Sequence, residues 1–155
     1  MPCLSVSFVP AVGPLLQLAI LPPGFEPSAP SNSVGQPASP VSLKRYMALL
    51  DTGASCTCIS AKVISDCSLT PVGKQPVGGV HGQQPTNLYQ FQVGVVFPQA
   101  QLPSGIVSAS IAAFPVTGAE FVPPTPGIFD VLLGRDVICR GSLALSFDGH
   151  AILCV

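Results

Sequence analysis

The chain has 155 residues, six basic and seven acidic side chains, a formal charge of −1, and 48% hydrophobic against 8% charged residues. That length fits one domain, and so few cations exclude the phosphate neutralisation on which nucleic-acid binding depends. Low charge on a small globule also predicts apolar surface that a partner covers.

In chain order, the first charged side chain is Glu26, so the segment before it is read first as a leader or a membrane span. Pro2, Pro10, Pro14, Pro22 and Pro23 interrupt any helix there, and no basic region opens it. Leu4-Ser5-Val6-Ser7-Phe8 alternates with the period of a strand. The expectation is a cytoplasmic protein with no export signal and no membrane span. Strands are predicted over 4–9 and 15–21, followed by an inserted loop at about 22–40 that holds six prolines with Gly, Ser and Asn.

Further short apolar runs, punctuated by many of the 15 glycines and 18 prolines, predict strands over 43–50, 57–60, 72–77, 88–97, 105–116, 131–133, 143–147 and 151–155. Residues 98–127 read as a second insertion. Residues 61–67 after Ser60, and 135–140 after Gly134, read as single helical turns. Asp148-Gly149 marks a two-residue hairpin, so the chain finishes as a β-ribbon. Such a ribbon serves either as a dimer seam or as an internal hairpin, and the sequence leaves both open.

The six cysteines, Cys3, Cys56, Cys58, Cys67, Cys139 and Cys154, include no Cys-x-x-Cys pair. Without an export signal, reduced thiols are expected. Cys56, Cys58, Cys67 and His81 lack zinc-ligand spacing, so the cysteines read as small buried side chains and no metal is expected.

The candidate chemistry begins at Ala48-Leu49-Leu50-Asp51-Thr52-Gly53-Ala54-Ser55. A carboxylate closing an apolar strand is costly unless hydrogen bonds or a function compensate it. Thr52 can bond to neighbouring backbone, and Gly53 lets the chain turn close to the carboxylate. Two such carboxylates side by side share one proton, which puts an acid and a base in one pair. Asp66, Asp130, Asp136 and Asp148 do not repeat the Asp-Thr-Gly pattern, so a paired site needs two chains. Taken alone, the three residues also suit an Asp that merely caps a turn.

Two downstream segments change that weighing. Val77-Gly78-Gly79-Val80-His81-Gly82 lies between two predicted strands as a hairpin with a pliable tip, and Phe129-Asp130-Val131-Leu132-Leu133-Gly134-Arg135-Asp136 joins an apolar run to a close-packing glycine. Together and in this order, the three segments resemble the active-site turn, the flap tip and the Gly-Arg segment of retropepsin-like aspartic proteases. The likeness spans roughly residues 4–155. Two long intervals bring it nearer to cellular and bacterial members than to compact viral ones.

The resemblance implies an all-β, single-lobe closed barrel with one short helix near its C-terminus. It implies an aspartic endopeptidase, a hydrolase active as a homodimer on an extended polypeptide, with no cofactor and with neither nucleic acid nor membrane as partner. Asp51 is the implied catalytic residue, in a turn completed by Thr52, Gly53 and Ala54. Gly78, Gly79, Val80, His81 and Gly82 are implied to cover the substrate, Ile128 and Phe129 to line a pocket, and Leu133, Gly134 and Arg135 to brace the turn. Several viral members carry an acidic residue where this chain has Ser55. That departure leaves Arg135 with Asp136 or a second subunit as candidate acceptors. The alternative reading is a catalytically silent module of the same fold that dimerises or binds peptides.

Overall fold

The computed structural model describes residues 1–26, 43–79, 82–101 and 107–155. From residue 27 onward, most of the predicted insertion at 22–40 lies outside them. The described elements are β1 (Cys3–Ser7), β2 (Leu15–Leu21), β3 (Arg45–Leu50), β4 (Cys58–Ser60), α1 (Ala61–Asp66), β5 (Pro71–Gly79), β6 (Gly82–Gln101), β7 (Val107–Phe121), β8 (Val131–Leu133), α2 (Arg135–Ile138), β9 (Ser142–Leu145) and β10 (His150–Cys154).

Six strands follow one another in the order β2-β3-β8-β4-β7-β6, and β6 pairs back to β2, so the sheet closes into a barrel. The predicted all-β closed barrel is therefore present. Alternation drives it: in β2, Leu16, Leu18 and Ile20 point into the core while Gln17 is exposed. The same core takes Tyr46, Ala48 and Leu50 from β3, Ile59 from β4, Phe91 and Val93 from β6, and Val131 and Leu133 from β8. Complete burial of each Leu or Val contributes roughly 1.5–3 kcal/mol relative to exposure.

Strand β8 matters most for the site. It lies parallel to β3 on one side and antiparallel to β4 on the other. Two segments separated by the Asp51 turn are therefore held together by a third strand that arrives some 80 residues later, as the hydrogen bond from Thr57 to Asp136 across 79 positions illustrates.

Strand β5 pairs only with β6, from Pro71 opposite Tyr89, through a register shift before Gly73, to Gly79 opposite Gly82. The two strands form a ribbon that stands off the barrel, and residues 71–76 on β5 are exposed. Both strands run further than the apolar pattern suggests. Residues 98–101 and 107–121, inside the predicted second insertion, continue the β6–β7 ladder.

A separate three-stranded sheet has the order β1-β10-β9. Its central strand β10 is paired on both edges within one chain, and Cys3 and Cys154, opposite each other in register, form a disulfide. This corrects the expectation of six reduced thiols. The sequence argument rested on compartment, whereas strand pairing sets these two side chains against each other. The β9–β10 loop also differs from the predicted two-residue turn. Ser146 N donates to His150 O, so three residues, Phe147, Asp148 and Gly149, form the loop, with Gly149 at φ +83°. A type I turn followed by a left-handed glycine accounts for the extra residue. Both predicted helical turns are present as α1 and α2, one helix more than the resemblance implied; Ser60 caps α1 by accepting from Val63 N.

Candidate active site

Leu50 ends β3 with its N–H donating to Pro14 O at 3.0 Å, and Asp51 N donates to Leu133 O at 3.0 Å. The strand thus delivers Asp51 to the mouth of the barrel with its backbone fixed from both sides. There the chain reverses, as Ala54 N donates to Asp51 O at 3.2 Å. The half-buried carboxylate folds over its own turn. Its Oδ1 accepts from Gly53 N at 2.8 Å and Ala54 N at 3.2 Å. Among the described residues Oδ2 accepts no hydrogen bond, so one oxygen is anchored and the other is available. A Cβ on Gly53 would stand 3.1 Å from Oδ1, which is why the residue closest to the carboxylate carries no side chain. Thr52 is exposed on the turn's outer side, and Ala54 is half-buried.

Behind the turn, Ala54 O accepts from Arg135 N at 3.0 Å. Gly134 packs so closely that an added Cβ would lie 2.4 Å from the Cys56 carbonyl carbon and 2.8 Å from Thr57 N. Only glycine fits that contact. Leu133 is fully buried beneath it.

Sequence reasoning missed Thr57 and Asp136, which tie this assembly together. Thr57 is fully buried; its Oγ1 donates to Asp136 Oδ1 at 2.8 Å and its N–H donates to Asp136 Oδ2 at 3.0 Å. The same Oγ1 accepts from Gly134 N at 3.2 Å. Asp136 is consequently engaged with Thr57 and not with the Arg135 side chain, which is exposed. Among the described residues the ion pairs are Lys62–Asp66 and Asp148–His150, neither involving Arg135. A hydroxyl residue opening a strand and an acid in the first turn of a helix were the available signals.

Two thiols complete the far side of the turn. Cys58 is buried and Cys56 half-buried, and Cys58 Sγ lies 3.6 Å from Cys56 O as a donor to it. The Cys58 thiol holds Cys56 down at about 7, although burial and the Asp136 carboxylate oppose that shift. Cys58 itself is pushed up by its bond to Cys56 and by burial.

Beside the turn, Ser7, Phe8, Val9, Val12, Gly13 and Leu15 line an apolar cavity of about 400 Å³. Leu15 pairs with Leu49 and Gly13 abuts the Leu49 side chain, so this cavity adjoins the strand that carries Asp51. Ile128 is exposed; Phe129 turns inward and stacks on Phe121, with ring centroids 6.1 Å apart. Gly78, Gly79 and Gly82 close the β5–β6 ribbon, with Gly82 at φ +94°. Val80 and His81, predicted for the tip, lie outside the described residues. No helix among the described residues is long and apolar enough to cross a membrane.

Neither a known sequence family nor a curated protein matches the chain. Among solved structures, it is similar to a retropepsin-like aspartic protease from Rickettsia conorii, with a TM-score of 0.51 and 12% identity over 98% of this chain and 89% of that chain. At that identity the likeness is one of fold, and the fold of this chain is the retropepsin-like closed barrel.

Proposed function

We propose that the chain is an aspartic endopeptidase, active as a homodimer in which each copy supplies one Asp51. The observation that carries this reading is the Asp51 carboxylate itself, with Oδ1 gripped by two N–H groups of its own turn and Oδ2 free of partners among the described residues, at the mouth of a barrel of this fold.

In the pair, two Asp51 carboxylates meet across a two-fold axis and hold one proton between them. The ionised carboxylate takes a proton from a bound water as that water attacks the scissile carbonyl. The protonated one donates to the carbonyl oxygen and stabilises the tetrahedral intermediate. The leaving amine then takes a proton from the pair as the C–N bond breaks. Thr52, exposed at the turn's rim, links the two turns, and the β5–β6 ribbon lies over an extended substrate whose backbone bonds as a strand. The apolar cavity between Ser7 and Leu15 takes an apolar residue flanking the scissile bond.

The test is cleavage of a mixed peptide library by wild type and Asp51→Asn, with sedimentation of both. The expected outcome is cleavage by wild type that falls at least about a thousandfold in Asp51→Asn, as removal of a catalytic group does, with the dimer kept. A dimer of wild type that cleaves nothing from mildly acidic to neutral pH would instead make the chain a silent module of this fold.

A further inference from the structure

We propose that Cys56 and Cys58 form a reactive dithiol against the Asp51 turn, one that a hydroperoxide closes to an internal disulfide, and that its closure loosens the turn through Thr57. The argument starts from placement. In Cys56-Thr57-Cys58 the two thiols are carried two residues apart on one short segment, and Cys58 Sγ folds back to donate to the Cys56 backbone carbonyl oxygen at 3.6 Å. Cys56 is half-buried and so within reach of a small solute, whereas Cys58 is buried behind it and waits as the resolving thiol. The other free thiols lack this arrangement: Cys67 Sγ lies 3.4 Å from Tyr46 Oη, and Cys139 is exposed at the end of α2.

Reactivity follows from the same geometry. The groups facing Cys56 are the Cys58 thiol on β4, which favours its thiolate, and the Asp136 carboxylate on α2, which opposes it. At about 7 the balance leaves a substantial thiolate fraction at neutral pH. That thiolate attacks the terminal oxygen of the hydroperoxide; an S–O bond forms as the O–O bond breaks, and an alcohol or water leaves after taking a proton. The Cys58 sulfur then attacks the Cys56 sulfenic sulfur. The S–S bond forms, the S–O bond breaks, and hydroxide leaves with the Cys58 proton as water. Two thiols are oxidised and one hydroperoxide is reduced.

The coupling to the turn runs through the residue in between. Thr57 bonds Asp136 through both its N–H and its hydroxyl, and it receives Gly134 N. Drawing the two sulfurs into a bond requires the backbone at 56–58 to tighten, which moves Thr57 off partners set for the open form.

The experiment needs no peptidase activity. Trypsin cuts after Arg45 and Lys62, so both thiols fall in one peptide, residues 46–62. The folded chain, with its Cys3–Cys154 bond intact, is treated with stoichiometric hydrogen peroxide, blocked with N-ethylmaleimide and digested. The expected result is a 46–62 peptide lighter by about 2 Da that carries no maleimide, while Cys139 is labelled. In the oxidised chain the Thr57 and Gly134 amides exchange with deuterium faster, by about tenfold or more. In Cys58→Ser and Cys58→Ala, oxidation stops at a dimedone-reactive sulfenic acid on Cys56, and the pH midpoint of its alkylation moves above that of wild type. A 46–62 peptide that takes two maleimides after peroxide overturns the proposal, as does an alkylation midpoint in both Cys58 variants equal to that of wild type. Unchanged exchange at Thr57 and Gly134 in the disulfide form overturns the coupling to the turn.

Discussion

At Thr57 one hydroxyl serves three elements. It stands just before β4, donates to Asp136 on α2, and accepts from the N–H of Gly134 after β8. Thr57→Val keeps the shape and removes the hydroxyl, leaving the buried Gly134 N without its acceptor, while Asp136 Oδ1 keeps the N–H of Val137. Loss of a buried hydrogen bond with its partner left unsatisfied costs about 1–3 kcal/mol. Urea unfolding of Thr57→Val is therefore expected to show a loss in that range, and Thr57→Ser a smaller one; equal stability of wild type and Thr57→Val would deny this network its role. Asp51, Gly53 and Gly134 were legible in the sequence because each belongs to a short run whose residue types answer a local demand: a carboxylate, a tight turn, a close approach. Thr57 and Asp136 were not, since their bond spans 79 positions, and a hydroxyl at a strand start and an acid in a first helical turn do not say that the two meet. The same lack of long-range information left Asp136 as one of two candidate acceptors for Arg135, beside a second subunit.

Among the elements, α1 shows how a short helix is fixed by its ends. Ser60 accepts from Val63 N, and its hydroxyl donates to Asp130 Oδ1 at 3.0 Å; its own N–H donates to Asp130 O at 2.9 Å. The cap thus also pins β4 to the segment entering β8. Ser60→Ala removes both hydroxyl bonds while the backbone bond stays, and a cap substitution of this kind costs about 1 kcal/mol. Thermal unfolding of Ser60→Ala should occur a few degrees lower, roughly 2–4 °C, and an unchanged midpoint would contradict that account.

Strands β2, β3, β4 and β8 were read nearly to their ends, because one buried face imposes a period of two. The β5–β6 ribbon was read too short. Its residues are exposed, so glycines, glutamines and prolines serve there as well as apolar residues, and the hydrophobic pattern fades although the ladder continues. The β9–β10 loop was misjudged by one residue because Asp-Gly suits both a two-residue turn and a three-residue loop ending in a left-handed glycine.

Across the whole molecule, the first and last strands meet in a sheet of their own, sealed by Cys3–Cys154. A cross-link between residues so far apart in sequence restricts the unfolded chain, an effect of about 2–4 kcal/mol. Cys3→Ser is expected to lose that much stability to urea under oxidising conditions, and to match wild type when both are measured in excess reductant; equal stability under oxidising conditions would argue against the bond. The sheet also exposes Phe147 at 99%, with Leu145 and Ile152 about half exposed, on a chain already poor in charge. Apolar surface of this kind is what the composition predicted a partner would cover, and a second copy is the partner that the proposed paired site would require.

The most direct measurement of that requirement mixes wild type with Asp51→Asn, lets the subunits exchange, and follows cleavage of one peptide at constant total protein. If each site needs two Asp51 side chains, only pairs of wild-type copies cut. Activity then falls as the square of the wild-type fraction, to about a quarter in an equal mixture of freely exchanging two-fold dimers. A decline in direct proportion, leaving about half the activity in that mixture, would mean that each copy cuts alone and would contradict the paired site.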